Sequence, residues 1–285
     1  MKISIVIPNF NGKVLLEKKL PFLFKAVDNS KNNIFEVVIV DNGSTDGSIS
    51  FLRSNFHGKF KLIKLSKNRG LCTAVNIGVR STRGDLILLL SDDMSVKENF
   101  LEKIKDLFDD SKVFAVTLSE NRNNVLLNDG MMEIYSTPSK NVKSDQTFYL
   151  SDEAVLFKKT IWQELGGFDE KLLSPFSWEN IDLCYRASKR GYSVLSSGEG
   201  KIFSKQKHIS KIEERNKLLV IWKNIHSKPL ITKHLNYLIR TILKKPSYII
   251  ILIMALFRFP QLIKSRKKEI KESKVSDEAV FQKFI

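Results

Sequence analysis

The chain has 285 residues, 42% of them apolar, enough to bury a substantial core and to build one α/β domain with an appendage. Its two cysteines, Cys72 and Cys184, stand far apart without metal-ligand spacing, which excludes a disulfide framework and a zinc site and suits a reducing compartment. The net charge of +16 is uneven: residues 1–200 hold 27 basic and 25 acidic side chains and residues 201–285 hold 20 and 6, so a nearly neutral domain precedes a strongly basic tail.

Met1-Lys2 leads directly into a short apolar run over residues 3–7, which lacks the length and the cleavage site of a signal peptide. That run predicts a strand ending at Pro8-Asn9-Phe10-Asn11. Residues 14–27 have helical spacing at Leu15, Leu16, Leu20, Leu23 and Phe24, with Pro21 expected to kink or break the helix. A second buried strand over residues 37–40 ends in Asp41-Asn42-Gly43-Ser44-Thr45-Asp46-Gly47. A helix opens at residues 48–53, a third strand alternates over 60–65, and a second helix over 71–81 follows Ser66-Lys67-Asn68-Arg69-Gly70.

The stretch from Gly84 to Asp93 is the most informative. Five successive apolar residues, Leu86-Ile87-Leu88-Leu89-Leu90, read as a strand covered on both faces, as in parallel sheets, and they end at Ser91-Asp92-Asp93. Paired acids at the carboxyl edge of an open α/β sheet are hard oxygen ligands suited to Mg²⁺ or Mn²⁺. Four strands are thus each followed by a polar turn, and in a βαβ series all four turns fall on one edge of the sheet. Asp41, Asn42, Arg69, Asp92 and Asp93 are expected to converge there.

Beyond Asp93, residues 96–108 read as a helix and 113–118 as a strand, while the polar residues 121–146 read as an irregular, flexible loop. A short strand over 154–157 leads into a helix over 159–165, stopped by Gly166-Gly167. Pro175-Phe176-Ser177-Trp178-Glu179-Asn180-Ile181-Asp182 opens a helix through Lys189, and residues 192–195 form the last strand.

In this order the motifs resemble the family 2 glycosyltransferases of the GT-A fold, in particular rhamnosyltransferase-like surface-polysaccharide enzymes. The matching segments include Ile5-Val6-Ile7-Pro8-Asn9-Phe10-Asn11, the run from Val40 to Ser48, Asn68-Arg69-Gly70 with Ala74, Asn76 and Gly78, Gly84 to Asp93, Gly166-Gly167-Phe168-Asp169-Glu170, and Trp178 to Arg186. The resemblance implies an α/β fold with a Rossmann-like, mostly parallel sheet flanked by helices over residues 1–225, followed by a basic helical extension over 226–285. It implies inverting transfer of a sugar from a nucleotide diphosphate sugar to an acceptor hydroxyl on a cell-surface or lipid-linked glycan.

Residue by residue, Asp93 matches the last acid of the family's metal motif and Asp92 assists it, because Ser91 stands where the first acid is common. Asp41 matches the acid that reads the nucleotide base, with Pro8, Asn9 and Asn11 lining the same pocket and Asn42 and Arg69 beside it. Taken alone, Asp41 also reads as a turn former ahead of Asn-Gly. The general base that the family draws from a Glu-Asp pair falls on Glu179, since Asn180 cannot accept the proton, with Asp182 one helical turn on as support or substitute. Both acids also suit a negative first turn facing a helix dipole. His208 is a possible further ligand, and Asp152 and Glu153 are possible acceptor contacts. Neutral residues at Ser91, Asn180 and Ser204 leave open a non-catalytic scaffold that binds a nucleotide sugar.

In the tail, residues 230–243 and 247–257 are apolar stretches bounded by Lys244-Lys245, Pro246, Arg258 and Pro260, and residues 262–274 carry Lys264, Arg266, Lys267, Lys268 and Lys271. The longest apolar run, residues 248–257, is about half the length of a spanning helix. No nucleic-acid-binding pattern accompanies the basic residues, so the expected partner is an anionic membrane surface, placing the protein peripherally on the cytoplasmic face of the membrane. A solvated helical hairpin packed on the domain is the alternative.

Overall fold

The computed structural model describes residues 1–91, 96, 98–102, 104–119, 121–139, 144–150, 154–175, 177–197 and 210–284. In chain order the strands are β1 (Ile3–Asn9), β2 (Ile34–Asp41), β3 (Lys61–Lys64), β4 (Leu86–Leu90), β5 (Val113–Thr117), β6 (Asn121–Asn128), β7 (Met131–Pro138), β8 (Asp145–Gln146), β9 (Ala154–Lys158) and β10 (Ser193–Ser196). The helices are α1 (Lys13–Asp28), α2 (Ser48–Asn55), α3 (Leu71–Ser81), α4 (Lys159–Leu165), α5 (Glu170–Leu173), α6 (Glu179–Lys189), α7 (Lys211–Asn224), α8 (Lys228–Lys244), α9 (Ile249–Leu256), α10 (Phe259–Glu272) and α11 (Asp277–Phe281). They form two compact units, Met1–Ser119 with Ser151–Phe168, and Glu120–Leu150 with Asp169–Ile285.

In the first unit the strand order is β3-β2-β1-β4-β9-β5. The neighbours among β1 to β4 pair in parallel, and β9 runs antiparallel between β4 and β5. Parallel pairing with helical crossovers explains the sequence: β1, β2 and β4 carry unbroken apolar runs because both faces are covered, and Ile5, Val6, Val38, Ile39, Ile87 and Leu88 are fully buried. The sheet therefore delivers the ends of β1, β2, β3 and β4 to one edge. Helix α3 lies against β1 and β2, with Gly78 facing Val6 and Val40.

Two expectations for this unit are corrected. Helix α1 runs through Pro21 without a break, and Pro21 lies on its exposed side, where water can take the carbonyl left without a donor. The helix expected over residues 96–108 is, among the described residues, a set of turns followed by a 3₁₀ helix at Lys105–Asp109. Leu101, Ile104 and Phe108 are buried at helix-like spacing, which is why the stretch reads as α-helical.

The second unit corrects a third expectation: residues 121–138 are not an irregular loop but a β-hairpin, β6 paired antiparallel with β7 and Asn128 opposite Met131. The two residues between them are Asp129 (φ 52°) and Gly130 (φ 81°), both left-handed, as a tight two-residue hairpin turn requires. Gly130 is also packed against the backbone of His234, so a Cβ there has no room. Val125, Met131 and Met132 turn inward to a cluster with Phe148, Tyr185 and Leu218. Strand β8 pairs antiparallel with β10.

Helices α9 and α10 pack on α7, and α11 packs on α6, where Phe281 and Phe284 join Phe148. Among the described residues no single helix is long and apolar enough to cross a membrane. Pro246–Leu256 and Phe259–Glu272 pass that test only together, across a bend of 70°.

Candidate functional site

The carboxyl edge of the first unit is a cradle made from three strand-end loops. Asn9, the last residue of β1 and 1% exposed, donates through Nδ2 to Asp41 Oδ1 at 3.0 Å and to Ser44 Oγ at 3.1 Å. Asp41, the last residue of β2, is fully buried, and its Oδ2 accepts from the Ser44 amide at 3.1 Å. Asn11, held at φ 53°, accepts from the Thr45 amide through Oδ1 at 2.8 Å, and its own amide donates to Ser44 Oγ at 2.9 Å. Pro8 is half-buried in the strand immediately before.

The third loop is tied in by Asn42. Its Nδ2 donates to Asn68 Oδ1 at 3.0 Å, its Oδ1 accepts from the Arg69 amide at 2.9 Å, and Asn68 Oδ1 also accepts from the Gly70 amide at 2.8 Å. Between Asn42 and Ser44 the chain passes so close to this loop that a Cβ on Gly43 would lie 2.6 Å from the carbonyl carbon of Lys67, and φ there is 81°. Only glycine fits both conditions. The Arg69 side chain is exposed at the rim.

Asp46 continues the loop. Burial works against its ionisation, but the Ser48 hydroxyl and the Lys13 and Ser48 amides outweigh this and hold its carboxyl below the usual range. Its bond from the Lys13 amide, 2.8 Å, caps the first turn of α1 from across the loop.

The structure thus brings Pro8, Asn9, Asn11, Asp41, Asn42 and Arg69 to one edge. The carboxylate of Asp41 is spent on Asn9 and Ser44, so it shapes the cradle from within. The buried Oδ1 of Asn9 accepts no hydrogen bond among the described residues, a polar group left without its partner. Asp92 and Asp93 lie outside the described residues, as do Asp152, Glu153, Ser204 and His208. Ser91, directly after β4, brings the chain to the same edge. Among the described residues no group of three or more His, Cys, Asp or Glu side chains could hold a metal ion.

In the second unit, Glu179 opens α6 and is 6% exposed, directly after Trp178, which takes a left-handed φ of 68° and lies under Lys217 Nζ at 5.9 Å from its ring. The loop that sets this turn is pinned from α7: Asn216 Nδ2 donates to the carbonyls of Leu173 (2.8 Å) and Ser177 (3.0 Å), and Arg215 Nη2 donates to that of Ser174 (2.9 Å).

Asp182 is a different kind of acid. It is fully buried, its Oδ2 accepting from Arg186 Nη2 (2.8 Å) and Lys223 Nζ (2.9 Å) and its Oδ1 from Asn224 Nδ2 (2.8 Å). Burial alone would raise its pKa, but the Arg186 and Lys223 charges and the Asn224 amide hold it at about 2. With both oxygens engaged, Asp182 anchors α6 to α7 and is a poor proton acceptor, which corrects its reading as a substitute base. Lys223 also reaches Asp169 Oδ2 at 2.9 Å, and Ser265 of α10 donates to the same oxygen at 2.8 Å. Sequence reasoning missed Arg186, Lys223, Asn224 and Asp169 as a set, because their partners lie up to 54 residues apart along the chain. Only the Asp182-Arg186 spacing of four was a readable signal.

Both cysteines are buried and neither forms a disulfide, and burial pushes the Cys184 thiol up to about 12, so it packs as an inert side chain.

Among curated proteins, an uncharacterized glycosyltransferase of Bacillus subtilis (strain 168), YfnE, is 35% identical over 105 residues, covering 36% of this chain and 26% of that protein. The dolichyl-phosphate beta-glucosyltransferase of Homo sapiens is 31% identical over 112 residues, covering 36% of this chain and 35% of that protein. The matched segment therefore spans about a third or less of these relatives' length. Of the solved structures, S. aureus TarS 1-349 in complex with UDP superposes with a TM-score of 0.59 at 17% identity, over 93% of this chain and 79% of that chain. GalNAc-T7 with UDP, GalNAc and Mn2+ gives 0.64 at 14% identity, over 79% of this chain and 48% of that one. These structural likenesses establish the mixed α/β GT-A fold. The family model described as Glycosyl transferase family 2 matches residues 4–166, more than half of the chain and all of the strand-end loops of the cradle, and the protein belongs to that family.

Proposed function

We propose that the chain is an inverting glycosyltransferase that moves a sugar from a nucleotide diphosphate sugar to an acceptor hydroxyl on a cell-surface or lipid-linked glycan, working at the cytoplasmic face of a membrane. The observation that carries this reading is the cradle at the carboxyl edge of β1, β2 and β3, whose loops are locked together around Asn9, Asp41 and Asn42 within the segment that matches the family. Such an edge is where open α/β sheets hold nucleotides. Solved neighbours of the same fold were captured with UDP, with GDP-Man and with Mn2+, which supports a nucleotide-sugar donor and a divalent cation here.

In this scheme the cradle fixes the nucleotide, and Glu179 takes the proton from the acceptor hydroxyl. The hydroxyl oxygen attacks the anomeric carbon from the face opposite the diphosphate, the new C–O bond forms as the bond to the phosphate oxygen breaks, and the electron pair leaves with the nucleotide diphosphate. Asp93, assisted by Asp92, would hold Mg²⁺ or Mn²⁺, which when bound offsets the charge of the departing diphosphate. Trp178 offers an apolar wall beside the base, and Asp182 keeps the first turn of α6 in place.

Donor turnover measured with Asp93→Ala and Glu179→Gln tests the scheme. Each variant should lose about 100-fold or more in kcat while remaining folded. Full activity in both would overturn the assigned metal and base roles.

A further inference from the structure

We infer that the outer faces of α9 and α10, meeting at Phe257, are the surface by which this protein binds a bilayer containing anionic lipid. This deepens the membrane placement proposed above and specifies the residues that make the contact.

Helix α9 is apolar all round, a composition expected of a fully buried helix. Only one stripe of it is covered: Ala255 is buried, as is Tyr248 directly before the helix, with Ile251 and Leu252 packed beside them in the core of the unit. The opposite stripe faces out, with Ile249, Ile253 and Leu256 about half exposed and Phe257 at 80%. Helix α10 repeats the arrangement after the 70° bend. Leu262 and Glu269 are buried inward, while Phe259 and Ile263 stay exposed beside Lys264 and Lys267. Leaving this much aliphatic and aromatic surface in water is costly, and a contiguous patch of this kind marks an interaction site.

Charge decides among occupants. From residue 215 to residue 268 the chain contains no Asp or Glu and 13 Lys or Arg. Lys244, Lys245, Lys264, Lys267 and Lys268 are all exposed around the apolar stripes. Of the first acids after this stretch, Glu269 is bonded by Arg190, and Glu272 by Arg190 and, at 3.9 Å, by Lys268, so of these five lysines they offset Lys268 alone. A second copy would bring an equally positive face and be repelled. Nucleic acid would pair with the lysines but leave the isoleucines and Phe257 in water. A bilayer with anionic headgroups satisfies both demands, taking the apolar stripe at the acyl boundary and the lysines among the phosphates. The inner stripes of α9 and α10 remain on α7, so the contact is shallow and requires no unfolding of the unit.

The test is co-sedimentation of the full-length protein with vesicles of phosphatidylcholine alone and of phosphatidylcholine doped with phosphatidylglycerol, at low and high salt. Wild type should sediment with the anionic vesicles only, and less at high salt. Lys264→Gln/Lys267→Gln should weaken partitioning by roughly fivefold per lysine removed. Ile253→Ser/Phe257→Ser should reduce it at both salt concentrations while the protein still melts in one cooperative transition, since Phe257 is exposed and Ile253 half exposed. Equal sedimentation of all variants, or of wild type with neutral and anionic vesicles alike, would overturn the inference. So would concentration-dependent dimerisation abolished by Phe257→Ser, which would make a second copy the occupant. Sugar transfer to a soluble acceptor, followed in the same variants, keeps the two readings apart: transfer without lipid binding by wild type defeats the surface, and lipid binding without transfer defeats the catalytic scheme.

Discussion

At the carboxyl edge of the first unit, three loops are joined by neutral amides and hydroxyls around Asp41, with Asp46 held by amides and a hydroxyl and by no ion pair among the described residues, whereas below the first turn of α6 the second unit buries Asp169, Asp182, Arg186 and Lys223 together. Neutral groups lose little on leaving water, so the first network can sit at a rim where a ligand exchanges with solvent. Buried charges lose much more and hold only as a complete set. One region is built to receive something; the other is built to keep a helix still. The two should respond differently to substitution, pH and ligand.

The largest effect is expected from Lys223→Ala. It leaves Asp169 without an ion-pair partner and Asp182 with Arg186 alone, and urea unfolding should show a loss of about 3–5 kcal/mol. Acid should then separate the two regions without mutation. The Asp182 carboxyl is held at about 2 in the folded chain against an ordinary value of 3.8, so its stabilisation is full above 3.8 and drains as pH falls through about 2. The difference amounts to about 2 kcal/mol, read as the fall in unfolding free energy over that window, and Asp182→Asn should flatten it. A smaller loss, about 1–3 kcal/mol, is expected for Gly43→Ala, whose methyl meets the Lys67 backbone at a left-handed φ. Unlike Lys223→Ala, that substitution should also abolish nucleotide-dependent stabilisation.

The smallest effect sits at the hairpin. Trp222 Nε1 donates to His234 Nε2 at 2.9 Å, so Nδ1 carries the proton and bonds the Gly130 carbonyl, also at 2.9 Å. Burial, with a lesser contribution from Lys217, lowers the His234 pKa against the pull of that carbonyl. Its contribution is therefore complete above the unfolded value of about 6.5 and declines as pH drops below it. The melting temperature should fall modestly between about pH 7 and 5 in wild type and less in His234→Gln.

Much of the first unit was legible because parallel strands covered on both faces write unbroken apolar runs, as residues 86–90 do, and because their polar ends repeat. The hairpin at residues 121–138 was not, since its buried positions include Asn123 and Asn124. Burying those amides is eased by Ser136 Oγ bonding Asn123 Oδ1 (2.7 Å) and Asn124 Nδ2 bonding Thr137 Oγ1 (2.9 Å), partners that composition conceals. The Asp129-Gly130 pair was the signal that could have found it. In the site, residue types at strand ends announced the cradle, but not that Asp41 would be enclosed. The role of Asp182 was hidden for a related reason: a carboxylate reads alike in sequence whether it faces a substrate or three donors from neighbouring turns and helices.

The central claim is that the cradle receives the nucleotide of an activated sugar. The most direct measurement is the melting temperature of the full-length protein against a panel of nucleotide diphosphate sugars in the presence of Mn²⁺. The account predicts that at least one donor raises it in wild type and fails to do so in Gly43→Ala held below its own midpoint. A folded wild type whose melting temperature no donor moves at saturating concentration would contradict it.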